Sequence, residues 1–117
     1  MKLTTTAQVS VDGVMQGPGG PEEDERGRFE CRGWAHFDDE ASTVMDEIYQ
    51  CADAFLFGRR TYEIFAGSWG WADSGDSPIW TALNTLPKYV ASTTLTEPRW
   101  ANTTVLSGDL AAGVFYR

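Results

Sequence analysis

The start of the chain alternates between apolar and polar side chains, as a β-strand with one buried face does. Within residues 2–11, one side carries Leu3, Thr5, Ala7, Val9 and Val11. Alternation with period two and several β-branched residues predict a first strand over residues 2–11. The pair Asp12-Gly13 follows at once and is a turn signal that ends this strand.

Three shorter runs of apolar and β-branched residues predict further strands. Residues 54–57 form an uncharged apolar run with the length and composition of a buried strand. Residues 87–94 and 103–107 form two more, and the former ends in a cluster of hydroxyl side chains. Together with residues 2–11, the sequence therefore predicts four strands.

Helical spacing of apolar residues lies between these strands. After His36, apolar residues recur every three or four positions and predict a helix that begins near Asp38 or Asp39 and ends near Gln50. His36 itself, the only histidine, fits a surface loop better than a catalytic role. Strands that alternate with helices predict an α/β layer architecture.

Two shorter helices are predicted in the second half of the chain. One covers residues 61–66 and stops at Gly67. The other begins at Ser77-Pro78, with proline at its first position. The segment between them, residues 68–76, is predicted as a loop whose two tryptophans fill gaps in the core.

A long loop over residues 17–35 is rich in glycine and acidic residues. Loops of this length in compact domains are commonly binding loops or lids, and a solvated surface loop is the equal alternative. Its acidic run, residues 22–25, lacks the alternating ligand spacing of a calcium loop. We therefore predict a mobile lid and no metal site in this segment.

Composition and charge limit the number of domains, the partners and the cellular compartment that we expect. The chain has 117 residues, which fits one domain, and 42% hydrophobic residues, enough for a packed core. A net charge of −8 speaks against nucleic acid or an anionic membrane as a partner. Without an apolar leader or a membrane span we expect a cytoplasmic protein, in which Cys31 and Cys51 stay reduced.

The segment where the strand over residues 54–57 gives way to a helix carries the candidate chemistry. Gly58 ends the strand, and the backbone N–H groups and positive dipole end of the following helix favour a phosphate there. Arg59, Arg60 and Thr61 add side-chain donors. The alternative is a turn with two solvated arginines. The hydroxyls of residues 92–94 follow another strand, at the sheet edge where α/β proteins bind ligands.

These segments, in this order, resemble the dihydrofolate reductase superfamily. The sequences Gly58-Arg59-Arg60-Thr61-Tyr62-Glu63 and Pro87-Lys88-Tyr89-Val90-Ala91-Ser92 carry the resemblance. Together with the opening Val9-Ser10-Val11-Asp12-Gly13-Val14, they resemble the branch that includes the C-terminal reductase domain of riboflavin-biosynthesis protein RibD. The resemblance implies a three-layer α/β/α sheet and NADPH as cofactor.

The resemblance also implies site residues and an activity. Gly58, Arg59 and Thr61 match the cofactor-phosphate turn, and Arg60 at its variable position is a further contact to the 2′-phosphate. Ser92 matches the hydroxyl near the adenosine phosphate, with Thr93 beside it. The implied reaction is hydride transfer to a small heterocyclic or imine substrate, as in reductases of 5-amino-6-(5-phosphoribosylamino)uracil or dihydrofolate. No catalytic residue is assigned.

One part of the family pattern has no counterpart after residue 112, namely a Gly-rich turn and the last strands. We therefore expect a single domain over residues 1–117 that is incomplete at its C-terminus, with a sheet truncated after the fourth strand. The first strand would lack a partner within residues 1–117, so we expect either a longer natural chain or a second copy that fills the gap in a homodimer. The alternatives to a reductase are a nucleotide-binding or oligomer-forming module without turnover, or an inactive remnant.

Overall fold

The computed structural model describes residues 2–70 and 77–115. The chain divides into two compact units, Met1–Asp39 and Glu40–Arg117. Each unit is described by itself below. The expectation of a single domain that is incomplete at its C-terminus stays a prediction.

The first unit does not contain the predicted first strand. Residues 2–10 form no ladder with any described strand, so the prediction for residues 2–11 is wrong. A strand is stable only beside a second strand, and alternation alone does not supply one. The turn after it does form: the Gly13 amide donates to the Ser10 carbonyl at 3.0 Å, and Gly13 has φ 88°.

The long loop of the first unit is closed by its own hydrogen bonds. The amide of Gly33 donates to the carbonyl of Gly17 at 2.7 Å, and that of Ala35 to Pro18 at 3.0 Å. The indole of Trp34 donates to the carbonyl of Gln16 at 2.9 Å. Within the loop, Arg26–Arg28 forms a single 3-10 turn. The loop prediction is confirmed, and its role as a lid stays a prediction.

The second unit alternates helices and strands. Its helices are α1 (Asp39–Gln50), α2 (Arg59–Trp69), α3 (Pro78–Thr85) and α4 (Leu110–Phe115), and its strands are β1 (Phe55–Gly58), β2 (Lys88–Ala91) and β3 (Thr103–Leu106). The predicted α/β fold class is confirmed. The short helix α4 was not predicted.

Helix α2 is longer than predicted at both ends. It begins at Arg59, directly after β1, and continues through Gly67 to Trp69. One glycine in a helix interior costs only about 1 kcal/mol, and contact of Trp69 with the core supports the final turn. Trp69 thus fills the core as predicted. Trp71 and the rest of residues 71–76 lie outside the described residues.

The described strands form one parallel sheet in the order β1-β2-β3. Gly58 of β1 aligns with Ala91 of β2, and Ala91 aligns with Leu106 of β3. The sheet has three strands instead of the predicted four, because residues 2–11 do not join it. In a parallel sheet all carboxyl ends lie on one edge, so the segments that follow β1 and β2 are neighbours.

The apolar core lies against one face of this sheet. Leu83 and Val90 are fully buried, and Tyr62 and Trp100 nearly so. β1 is only half-buried: Phe55 and Phe57 pack against the core, whereas Leu56 is 38% exposed. The prediction of a fully buried strand is therefore wrong, because β1 lies at the edge of the described sheet.

Candidate functional site

The junction of β1 and α2 presents backbone donors. Gly58 is both the last residue of β1 and the N-cap of α2, and no side chain caps the first turn of this helix. The first N–H groups of a helix lack partners within the helix, and its dipole is positive at that end. This junction is therefore suited to an anion.

Gly58 leaves open space at this junction. Its φ of −73° is accessible to any residue, so backbone conformation does not demand a glycine here. A Cβ at this position would meet no described atom within 4 Å. The glycine therefore keeps clear a surface that a ligand can approach closely.

The segment after β2 forms a hydroxyl-stabilised turn beside this junction. The Ser92 Oγ accepts hydrogen bonds from the amides of Thr94 at 3.2 Å and Leu95 at 3.0 Å. The Ser92 amide donates to the carbonyl of Leu106 at 3.1 Å, which extends the ladder between β2 and β3 by one bond. The backbone after β2 thus turns sharply at the carboxyl edge of the sheet.

Arg59 connects the two segments. Its NH1 donates to the Oγ1 of Thr94 at 2.6 Å, and its Nε donates to the carboxylate of Glu63 at 2.9 Å. The Arg59 side chain is 41% exposed. The arginine thus spans from the first turn of α2 to the turn after β2 and remains open to solvent.

The structure brings together part of the predicted set of site residues. Gly58, Arg59 and Ser92 lie on one edge, linked through Thr94. Arg60 and Thr61 lie in the exposed first turn of α2, and Thr93 is exposed. The role of all six as cofactor ligands stays a prediction.

Sequence reasoning counted the Thr94 hydroxyl among the phosphate donors after β2, but it did not include Glu63 or the contact of Arg59 with Thr94. The i, i+4 spacing of Arg59 and Glu63 on one helix was the available signal for the first contact. The alternation of Ser92 and Thr94 around an exposed Thr93 was a weaker signal for the second.

A second cation, Lys88, has a different setting at the opposite end of β2. It is fully buried, and its Nζ donates to the carbonyls of Leu83 at 2.7 Å and Leu86 at 3.3 Å. The Nζ also lies 4.6 Å from the ring centroid of Trp100. No described residue forms a salt bridge with Lys88, and burial lowers the pKa of its ammonium group below the ordinary value.

Other candidate chemistry is sparse in the part of the chain that the structure describes. There, no three His, Cys, Asp or Glu side chains lie together as metal ligands would. His36 is exposed, and Cys31 and Cys51 are exposed free thiols. Among the described helices, none has both the length and the apolar character that a membrane span requires.

The parallel α/β sheet with a glycine-arginine turn at its carboxyl edge is consistent with a dihydrofolate reductase-like domain. The profile of the RibD C-terminal domain matches residues 1–117, and the chain belongs to that family. No curated protein matches the sequence. Domains of this family are associated with NADPH-binding reductases.

Proposed function

We propose that the protein is an NADPH-dependent reductase that transfers a hydride to a small heterocyclic or imine substrate. The observation that carries the proposal is the contact between Arg59 and Thr94 at the carboxyl edge of the sheet. It places a half-exposed guanidinium beside an uncapped helix N-terminus. Together with membership of the RibD C-terminal domain family, this geometry supports binding of a phosphorylated dinucleotide.

The residues of this edge are donors that suit a phosphate. The first-turn amides of α2 and the guanidinium of Arg59 present N–H groups, and Arg60 adds a second exposed guanidinium. The Oγ of Ser92 already accepts two amides, so its remaining capacity is chiefly that of an O–H donor. When bound, NADPH supplies the hydride, and the protein binds and orients it.

This proposal predicts a preference for NADPH over NADH. Because a charge-assisted hydrogen bond contributes roughly 1.5–3 kcal/mol, Arg59→Ala should weaken NADPH binding by about tenfold or more. Binding of NADH, which lacks the 2′-phosphate, should change little. Quenching of the intrinsic tryptophan fluorescence, titrated with each cofactor, measures both affinities.

Arg60→Ala is the matched control for this test. It removes the same charge from the next position of α2, where the side chain is exposed and forms no salt bridge with a described residue. We expect it to weaken NADPH binding less than Arg59→Ala does. Equal affinity of the wild-type protein for NADH and NADPH would overturn the proposal.

Turnover separates a reductase from a binding module. Loss of the absorbance of reduced nicotinamide that depends on 5-amino-6-(5-phosphoribosylamino)uracil or dihydrofolate would support the reductase. Tight NADPH binding without turnover on any heterocyclic or imine substrate would support the alternative of a nucleotide-binding module. Absence of NADPH binding would support the inactive remnant.

We also propose that the protein acts as a homodimer. Residues 2–10 form no ladder with any described strand, and Leu3 and Val9 are 60% and 52% exposed. β1 pairs with β2 alone among the described strands, so its other edge has free backbone donors and acceptors. A period-two segment that is uncharged over residues 3–10 and an open strand edge favour pairing between two copies.

Sedimentation velocity tests the dimer directly. We expect a dimer for the wild-type chain and a shift towards monomer for Val9→Lys, because a charge on the apolar side of the alternating pattern would be buried when the two copies pair. Thr4→Lys, on the opposite side of the alternating pattern, is the control with the same added charge. A wild-type protein that sediments as a monomer at all concentrations would exclude the dimer.

A further inference from the structure

The guanidinium of Arg59 is held by two protein contacts and keeps the rest of its donors. Its Nε donates to Glu63 and its NH1 to Thr94. An arginine has five N–H donors, so three remain without a partner among the described residues. The guanidinium is thus held in place by two of its N–H groups, and the other three are available to bind a ligand.

The two contacts come from different elements. Glu63 lies one turn further along α2, whereas Thr94 belongs to the turn after β2. A free arginine side chain samples many rotamers, and a ligand that orders it must overcome this conformational entropy. Two anchors at 2.9 Å and 2.6 Å order the guanidinium before any ligand arrives.

We propose that Glu63 is a positioning residue of this site. Its carboxylate holds the guanidinium of Arg59 against Thr94, so that the remaining N–H groups are available to the 2′-phosphate of NADPH. The selectivity for NADPH over NADH therefore depends on Glu63 as well as on Arg59. This inference rests on the proposed function. It adds Glu63 as the residue that holds the Arg59 guanidinium in one orientation.

Charge and geometry act in opposite directions at Glu63. Its negative charge lies near the site of a dianionic phosphate and repels it. Its oxygen positions Arg59 and thereby favours the same phosphate. Glu63→Gln removes the charge and retains an oxygen acceptor, whereas Glu63→Ala removes both. The difference between the two variants isolates positioning from charge.

The experiment titrates both variants with NADPH and with NADH by tryptophan fluorescence. We expect Glu63→Gln to bind NADPH at least as tightly as the wild type. Glu63→Ala should bind NADPH about two- to fivefold more weakly than Glu63→Gln, the range expected from the net contribution of one hydrogen bond to the amide oxygen. The two variants should bind NADH equally.

A double-mutant cycle shows whether Glu63 acts through Arg59. In the Arg59→Ala background, the difference between the two Glu63 variants should disappear. Glu47→Ala, on the exposed surface of α1, is the control for loss of a carboxylate and should leave the NADPH-to-NADH ratio unchanged. A difference between the Glu63 variants that persists without Arg59, or that is equal for both cofactors, would overturn the inference.

A second measurement tests the anchor without any cofactor. The Nε–H resonance of Arg59 in a ¹⁵N spectrum should exchange slowly with water in the wild type and rapidly in Glu63→Ala. Equal exchange in both proteins overturns the inference whether or not NADPH binds. Slow wild-type exchange combined with no NADPH binding instead overturns the proposed function, and with it the selectivity assigned to Glu63.

Discussion

Two cations lie at the two ends of β2, and their surroundings are opposite. Lys88 begins the strand and is fully buried, with its ammonium directed to two carbonyls and a tryptophan ring. Arg59 reaches the turn after the strand and is 41% exposed, with only two of its donors satisfied. At the Lys88 end, which we call the closed end, groups of the protein itself surround the cation. At the Arg59 end, which we call the incomplete end, donors remain for a ligand.

The comparison shows how the same type of charge serves structure at one end and recognition at the other. The carbonyls that Lys88 contacts belong to the last turn of α3 and the residue that follows it, where helix carbonyls lack partners and the dipole is negative. A lysine there stabilises a helix end that the core has removed from water. Arg59 lies at a helix N-terminus, where a cation is unfavourable unless an anion joins it.

The largest expected effect follows from removal of the buried cation. Lys88→Ala deletes a fully buried side chain whose ammonium lies over the Trp100 ring, and it leaves the carbonyls of Leu83 and Leu86 without their donor. The cavity and the lost hydrogen bonds together should lower the free energy of unfolding by about 2–4 kcal/mol. Urea unfolding followed by tryptophan fluorescence measures the loss.

Lys88→Met separates the two contributions. Methionine retains most of the stem and removes the ammonium, so it should destabilise the protein less than alanine does. Arg59→Ala should change stability by no more than about 1 kcal/mol, because the Arg59–Glu63 pair is exposed. Greater destabilisation by Arg59→Ala than by Lys88→Ala would contradict the assignment of the two ends.

A smaller effect is expected at the incomplete end. Ser92→Ala removes the acceptor for two backbone amides, those of Thr94 and Leu95, which resembles the loss of a helix cap. Stability should fall by about 1 kcal/mol, and NADPH binding should weaken because Thr94 loses its support. Both are measured by the unfolding and titration assays above.

Thr93→Ala is the matched control for the serine. Its side chain is exposed, so we expect the free energy of unfolding to change by no more than about 0.5 kcal/mol. Equal effects of the two substitutions would mean that the turn after β2 does not depend on the Ser92 hydroxyl.

The sequence predicted the incomplete end better than the closed one. The strand, the glycine and the following helix are local patterns, so their order was predicted correctly, with boundaries that differ by one to three residues. The hydroxyls after β2 were placed beside them because parallel strands share a carboxyl edge. The contact of Arg59 with Thr94 spans 35 positions, which no local pattern encodes.

The closed end could not be predicted from local patterns. Lys88 looks like an exposed lysine at a strand start, and only the packing of α3 and Trp100 around it explains its burial. The prediction of a first strand over residues 2–11 was wrong for a related reason, because pairing between strands depends on tertiary contacts. Residues 2–10 have the right alternation, but no described strand lies beside them to complete a ladder.

The last expected effect is a dependence of stability on pH. Burial lowers the pKa of Lys88 in the folded protein below its ordinary value of 10.5. At a pH between the lowered pKa of the folded protein and the ordinary value, Lys88 is protonated in the unfolded chain and largely deprotonated in the fold. The unfolded chain then binds more protons, so the free energy of unfolding should rise with pH up to about 10. Lys88→Met should lack this rise, so the difference in unfolding free energy between wild type and variant should grow in favour of the wild type.

In the comparison of wild type with Lys88→Met, the effects of the other titrating groups on stability cancel, because both proteins contain them. Burial raises the pKa of Tyr49 above 10.0, so this tyrosine makes stability fall with pH beyond that point in both proteins. Urea unfolding at several pH values between about 8 and 10 therefore isolates the lysine. Parallel stability profiles for wild type and Lys88→Met would mean that the ammonium is as well solvated in the fold as in the unfolded chain. The contrast between the two ends of β2 would then be lost.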